Sequence, residues 1–221
     1  MLESLLFGKK KTSPYDKIIA GDATMGYYGF VPPDDFITGS ALATAIGLTA
    51  GNIQFDQEGW LKFAYNGKQL LVAKKPFRNS LSWQHIYQTG SVYGDDTVGK
   101  YPSGSQKLQN RIVTIQGKQY RVRLLRGAVS DPAHSTSAPG RELQDLFFKV
   151  LAVKSGPWES FTMADVGQTA SSLGKWAWVT ETASNLTTAR LFMTENAGLS
   201  MEYATANSSA FAWRPVLELI D

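Results

Sequence analysis

What most narrows the fold is the spacing of short apolar runs, each bounded by small polar residues. WLKFAY and QLLVA flank Asn66-Gly67, a pair suited to the two left-handed positions of a tight hairpin turn. RIVTI and QYRVRLL form a second such pair around Gly117. In QYRVRLL, Tyr120, Val122 and Leu124 alternate with Arg121, Arg123 and Leu125, so one face is apolar and the other largely basic. The last third repeats the pattern as WAWVTE, ARLFMT, LSMEYA and WRPVLELI, separated by TASNLTT, ENAG and TANSSAF. Runs of this length fit strands better than helices. Pro215 has no N–H for a ladder, so it belongs at an edge or at the first residue of the final strand.

Helical signals are few. Residues 38–46 (TGSALATAI) predict a short Ala-rich helix stopped by Gly47. Ser82 is placed to cap a helix whose Trp83, Ile86 and Tyr87 share one face, with Gly90 as its stop. A polar loop (residues 131–140, DPAHSTSAPG) leads into a segment with Leu143, Leu146, Phe147 and Val150 at i, i+3, i+4 and i+7. The expectation is an α+β fold of short, mostly antiparallel strands with a few short helices.

Texture divides the chain into an N-terminal arm, residues 1–55, and a globular domain, residues 56–221. The arm holds a short apolar stretch at residues 2–7, a lysine run and GDATMGYYGFVPPDD. Tyr27, Tyr28, Phe30 and Val31 are too apolar to be left in water. Their extended backbone is expected to lie on the chain's own domain or on a partner. Phe7, Lys9, Lys10, Lys11, Tyr27, Tyr28 and Phe30 are the candidate partner-docking residues.

Composition removes several function classes. With 43% hydrophobic and 12% aromatic residues in 221, the chain has ample material for a core. The formal net charge is +3, and residues 1–12 supply +2 of it through Lys9, Lys10 and Lys11 against Glu3. The remainder is too nearly neutral to suit a nucleic-acid partner. There are no cysteines, which excludes disulfides, thiolate metal sites and Cys nucleophiles. Residues 1–7 are apolar, but the lysines follow them where a signal peptide places its lysines first, and no run is long enough to span a membrane.

The chemistry-bearing residues are sparse. His85 and His134 are the only histidines, one expected on a helix surface and the other in a Ser/Thr-rich loop. Asp95-Asp96 reads as a solvated turn, and Gly8 followed by the lysines lacks the remaining parts of a phosphate loop. Glu181, Glu195 and Glu202 all fall in the strand-rich last third, where two of them converging would make a glycosidase-like pair. Trp60, Trp83, Trp176, Trp178 and Trp213 read as core. Trp158 and Tyr203 border loops and are candidates for stacking on a ligand or partner. With them go Asn185, Asn207 and Ser209, in small polar loops at residues 185–188, 195–198 and 204–210. Those loops either form one recognition surface or simply turn the chain.

The order Trp60, hairpin, LLVAKKP, SWQHI, a second hairpin ending RVRLLRG, an amphipathic helix, WVTET and a closing WRPVLEL resembles a family of tailed-phage virion proteins over residues 56–221. It resembles more distantly bacterial domains ending in G-[VF]-R-P-[AV]-L that share the C-type-lectin-like outline of formylglycine-generating enzymes. The resemblance implies a C-type-lectin-like fold in which first and last strands pair and a long loop region carries the variable surface. It implies a non-enzymatic virion component, of the tail, tail tip or fibre or else decorating the capsid, released by lysis without a signal peptide. Its partners would be other phage structural proteins and a host surface glycan or protein, with several copies or a homo-oligomer in the particle. No metal or cofactor is expected. Formylglycine chemistry needs cysteines, and calcium-dependent sugar binding uses Glu-Pro-Asn or Gln-Pro-Asp tripeptides; both are missing from the sequence. A particle-borne carbohydrate-active enzyme using the three glutamates is the alternative.

Overall fold

The computed structural model describes residues 14–99, 106–133, 141–154, 156–169, 171–183, 185, 187–193 and 198–220. Among these, the strands are β1 (Ala20–Gly21), β2 (Met25–Val31), β3 (Asn52–Ile53), β4 (Trp60–Tyr65), β5 (Lys68–Ala73), β6 (Arg78–Asn79) and β7 (Ile112–Ile115). They continue as β8 (Lys118–Leu124), β9 (Trp176–Thr182), β10 (Thr188–Met193), β11 (Gly198–Tyr203), β12 (Phe211–Trp213) and β13 (Pro215–Ile220). The α-helices are α1 (Gly39–Ile46), α2 (Trp83–Tyr87) and α3 (Arg141–Asp145). This is a mostly sheet structure with few short helices.

Two sheets form. One has seven strands in the order β1-β2-β4-β5-β13-β8-β7, the other six in the order β11-β10-β9-β12-β6-β3. Local chemistry explains many of the joints. Asn66 and Gly67 adopt φ of 50° and 78° in the turn between β4 and β5, and Gln116-Gly117 does the same between β7 and β8. Thr38 caps α1 by accepting the Ala41 N–H at 3.2 Å, and Gly47 stops it in the left-handed region. Ser82 and His85 form a reciprocal capping box at the start of α2. The stretch after residue 140 is less regular than its periodicity predicts. The backbone leaves helical geometry at Leu146 and resumes as a 3-10 turn, Phe147–Val150, yet Leu143, Leu146, Phe147 and Val150 all stay buried together.

Both faces of the seven-stranded sheet are covered. On one, Trp60, Leu71, Val122, Leu124 and Leu217 meet α1, α2 and the indoles of Trp178 and Trp213. On the other, Leu61, Phe63, Leu70, Val72 and Val216 meet the Leu143–Val150 side chains and Ala177, Val179 and Phe192 of the second sheet.

The sheets are joined covalently at Arg214. WRPVLELI reads as one strand, but Trp213 pairs with Arg78 in the six-stranded sheet while Pro215 begins β13 opposite Leu124 in the other. Arg214, between them, is fully buried. Its guanidinium donates to the carbonyls of Ala73 (2.8 Å), Lys74 and Val166 (2.6 Å), and lies 4.6 Å from the Phe147 ring centroid. Burial pulls its pKa down to about 9.

Two expectations are corrected. β13 lies between β5 and β8, so it does not pair with β4; the tight turn at Asn66-Gly67 places β5 there, and β2 takes the other edge of β4. The described part of the arm is not a separate unit. β2 pairs along the whole of β4, and Leu42, Ala43 and Ile46 of α1 are core residues. A bulge at Tyr28 inserts one residue into β2, so Tyr27 opposes Phe63 while Val31 opposes Trp60. The two β2 side chains therefore enter opposite cores, which masks any simple alternation.

Candidate functional site

A cavity of about 400 Å³ opens between residues 93–99, residues 126–131 and the end of β9. Tyr93, Asp95, Arg126, Asp131, Thr180 and Glu181 supply its distinctive walls. The strand end is rigid because the chain after β8 is fastened along it. Thr180 donates its N–H to the Leu125 carbonyl at 3.0 Å, and its hydroxyl to the same oxygen at 3.1 Å. Asp131 Oδ1 accepts both the N–H and the hydroxyl of Thr182, at 2.8 and 2.9 Å. Ala133 closes the series by donating to the Thr182 carbonyl at 2.8 Å.

Glu181 lies in the middle of these ties and is only 3% exposed. Its two carboxylate oxygens accept the Gly127 N–H at 3.1 and 3.0 Å. Arg190 on β10 donates to the Gly127 carbonyl at 3.1 Å and holds a positive charge near the carboxylate. Burial nevertheless dominates. It pushes the Glu181 pKa up to about 7, against the opposing pull of the backbone N–H groups of Gly127 and Ala128 and of Arg190. Arg190 moves the other way: burial lowers its pKa, and Glu181 offsets part of that.

The residues picked from sequence are scattered by the fold. Tyr27 is fully buried, stacked parallel to Trp158 at 6.4 Å, and so is unavailable for docking. Tyr28 is half-buried beneath Lys62 Nζ, 4.7 Å from its ring centroid, and Phe30 is 37% exposed beside Lys74. Phe7, Lys9, Lys10 and Lys11 lie outside the described residues, as do His134 and Glu195. Trp158 is half-buried, with Lys149 Nζ 4.8 Å from its ring centroid, in the second core and away from the late loops. His85 serves α2: its Nδ1 accepts the Ser82 N–H at 3.2 Å.

The described parts of the late loops do not make one surface, and residues 194–197 lie outside the described residues. β9, β10 and β11 run as an antiparallel meander, so successive connections fall at opposite ends. Asn185 and Tyr203 share one end, where Tyr203 opposes Thr188. Ser209 lies at the other, its carbonyl accepting the Gly174 N–H just before β9. Tyr203 is 62% exposed, and Asn207 and Ser209 are exposed too. Asn185 Oδ1 is spent on the turn, accepting the N–H of Thr187 and the N–H and hydroxyl of Thr188. Glu202 opposes Ala189, with β10 between it and β9, and its carboxylate accepts the Tyr203 N–H at 2.8 Å. It does not converge with Glu181.

Comparison with family models, with curated proteins and with solved structures finds no match. Among the described residues no helix is long and apolar enough to cross a membrane, and no group of three His, Asp or Glu is arranged to hold a metal. What sequence reasoning missed is the meeting of residues 93–99 with residues 126–131. Both are Gly- and Asp-bearing stretches next to apolar segments, and that texture is the one signal that could have found them.

Proposed function

We propose that the chain is a non-enzymatic structural and binding component of a tailed-phage virion, built on a C-type-lectin-like domain and associated with the tail, tail tip or fibre. The order of segments across residues 56–221 supports the family; the hydrogen bonding of Glu181 supports the non-enzymatic role. A general acid has to present its proton to a substrate. The carboxylate nearest to that description here is turned inward, with both oxygens on the Gly127 N–H. Its work is to fasten the chain after β8 to β9. Phe7 and Lys9–Lys11 remain the docking candidates at the N-terminus. Mass spectrometry of purified particles tests this reading: the chain is expected at a fixed copy number, and its absence from particles sinks the proposal.

One observation favours the carbohydrate-active alternative, namely a carboxyl group with a pKa of about 7 lining a polar cavity beside Asp95 and Asp131. Release of reducing sugar from host polysaccharide, abolished by Glu181→Gln, would establish it.

A further inference from the structure

We infer that the cavity between residues 93–99, residues 126–131 and β9 is a binding site for a neutral saccharide, held without a metal ion. The inference deepens the binding role proposed above and depends on it only for the biological source of the sugar.

The first ground is what the lining leaves unspent. Asp95 commits Oδ1 to the N–H and hydroxyl of Thr97, and Asp131 commits Oδ1 to Thr182. Neither Oδ2 has a hydrogen-bond donor among the described residues. The Arg126 side chain is exposed on the same wall and its guanidinium has no partner there either. The cavity thus offers carboxylate acceptors and a five-donor fork within one small volume. A hydroxyl is the group that serves both, donating to a carboxylate while accepting from a guanidinium, and a ring carrying adjacent hydroxyls does so several times over.

The second ground is the remaining wall. Tyr93, Ala128 and Val129 face the same space, and Val129 is 63% exposed. Apolar contact beside clustered polar groups suits a ligand with a C–H face and a hydroxyl edge. A cavity of about 400 Å³ has room for a sugar ring and its neighbour. The third ground is charge. Asp95 and Asp131 outnumber Arg126 in the lining, so an anionic ligand is repelled. A simple amine leaves the guanidinium unused. The fourth is rigidity: Thr180, Glu181 and Thr182 pin this rim to a sheet, which limits the ordering cost of binding.

Saturation-transfer NMR on the full chain tests the site. The probes are methyl glucoside, methyl galactoside, methyl N-acetylglucosaminide, maltose and lactose, in EDTA. Glucuronate, putrescine and glycine serve as anionic, cationic and zwitterionic competitors. At least one neutral sugar is expected to bind saturably. Arg126→Ala and Asp95→Asn should each weaken it about tenfold, or about 1.4 kcal/mol, at unchanged melting temperature. The Arg126 side chain makes no hydrogen bond or ion pair among the described residues and is exposed, so its variant is expected to fold. Binding of none of the five sugars overturns the inference, as does preferential binding of a charged competitor. So does sugar binding that survives both variants and is lost in Tyr203→Ala. Purified host polysaccharide competing with the bound sugar would identify the cell surface as the source. These outcomes are independent of whether the chain is found in particles.

Discussion

Arg123 and Glu142 meet end-on in the interior, the Nη1 and Nη2 of the guanidinium lying 2.7 and 2.8 Å from the two carboxylate oxygens. Arg123 is 1% exposed and Glu142 is 4% exposed. Arg123 Nε also donates to Glu218 at 3.0 Å, and Lys68 reaches the other oxygen of that carboxylate. The basic face of β8 is thus turned inward at Arg123, which ties β8, β13 and α3 together. Removing Arg123 leaves the buried Glu142 without its counter-ion, while Glu218 keeps Lys68. Arg123→Met is expected to cost about 3–5 kcal/mol in urea unfolding. Adding Glu142→Leu should recover only part of that, because Glu142 Oε2 also accepts the Arg126 N–H at 3.1 Å.

The described N-terminal segment should prove inseparable from the body. Lys62 Nζ donates to the Tyr15 carbonyl at 2.8 Å, Tyr15 donates to Asp35 at 2.9 Å, and β2 covers the edge of β4. Deleting residues 1–53 exposes Leu61 and Phe63 along with the bed of α1, and should give aggregated or protease-sensitive product. Deleting residues 1–13 instead tests the docking role of Phe7 and Lys9–Lys11. A folded chain that fails to enter particles is expected, measured by circular dichroism and by particle proteomics.

Much of the fold was legible where its cause is local. The turns at Asn66-Gly67 and Gly117, the helix stop at Gly47 and the cap at Ser82 are each set by a few adjacent residues. The bulge at Tyr28 was not legible, because it is defined by the partner strand. Nor was the change of sheet at Arg214, whose reason is three carbonyls supplied from residues 73, 74 and 166. The cavity was the least legible part. Gly127 and Glu181 are 54 residues apart, and nothing near either one announces the other.

Trp213 offers a test of how the two sheets share a core. Its ring is 6.5 Å from that of Phe77, which in turn lies 5.1 Å from Trp60 at right-angle-like tilts. Trp213→Ala should cost about 3–5 kcal/mol, the range for emptying a buried aromatic site. The indole N–H of Trp213 is buried with no acceptor among the described residues. Trp213→Phe therefore forfeits volume but no hydrogen bond, and should cost less than half as much in the same unfolding measurement.

The pH dependence of stability should report Glu181 directly. Its folded-state pKa is about 7 against an ordinary 4.5, because burial disfavours the carboxylate. Between those values the folded chain holds the proton more tightly than the unfolded chain does. The stability contributed by this group is therefore full below about pH 4.5, declines as pH rises toward about 7 and is constant above it. A displacement of this size corresponds to about 3 kcal/mol. Glu218 works in the opposite sense, since Arg123 and Lys68 outweigh its burial and lower its pKa, so the raw pH profile mixes the two. Comparison with Glu181→Gln isolates the wanted part, because glutamine does not titrate and Arg190 stays charged throughout. The stability of Glu181→Gln relative to the unaltered chain should rise by about 3 kcal/mol between pH 4.5 and 7. Glutamine has one acceptor where the carboxylate has two, so a constant offset across the whole range is expected as well. Parallel profiles for the two proteins over that window would mean that the Glu181 carboxyl group ionises in the fold as readily as in water.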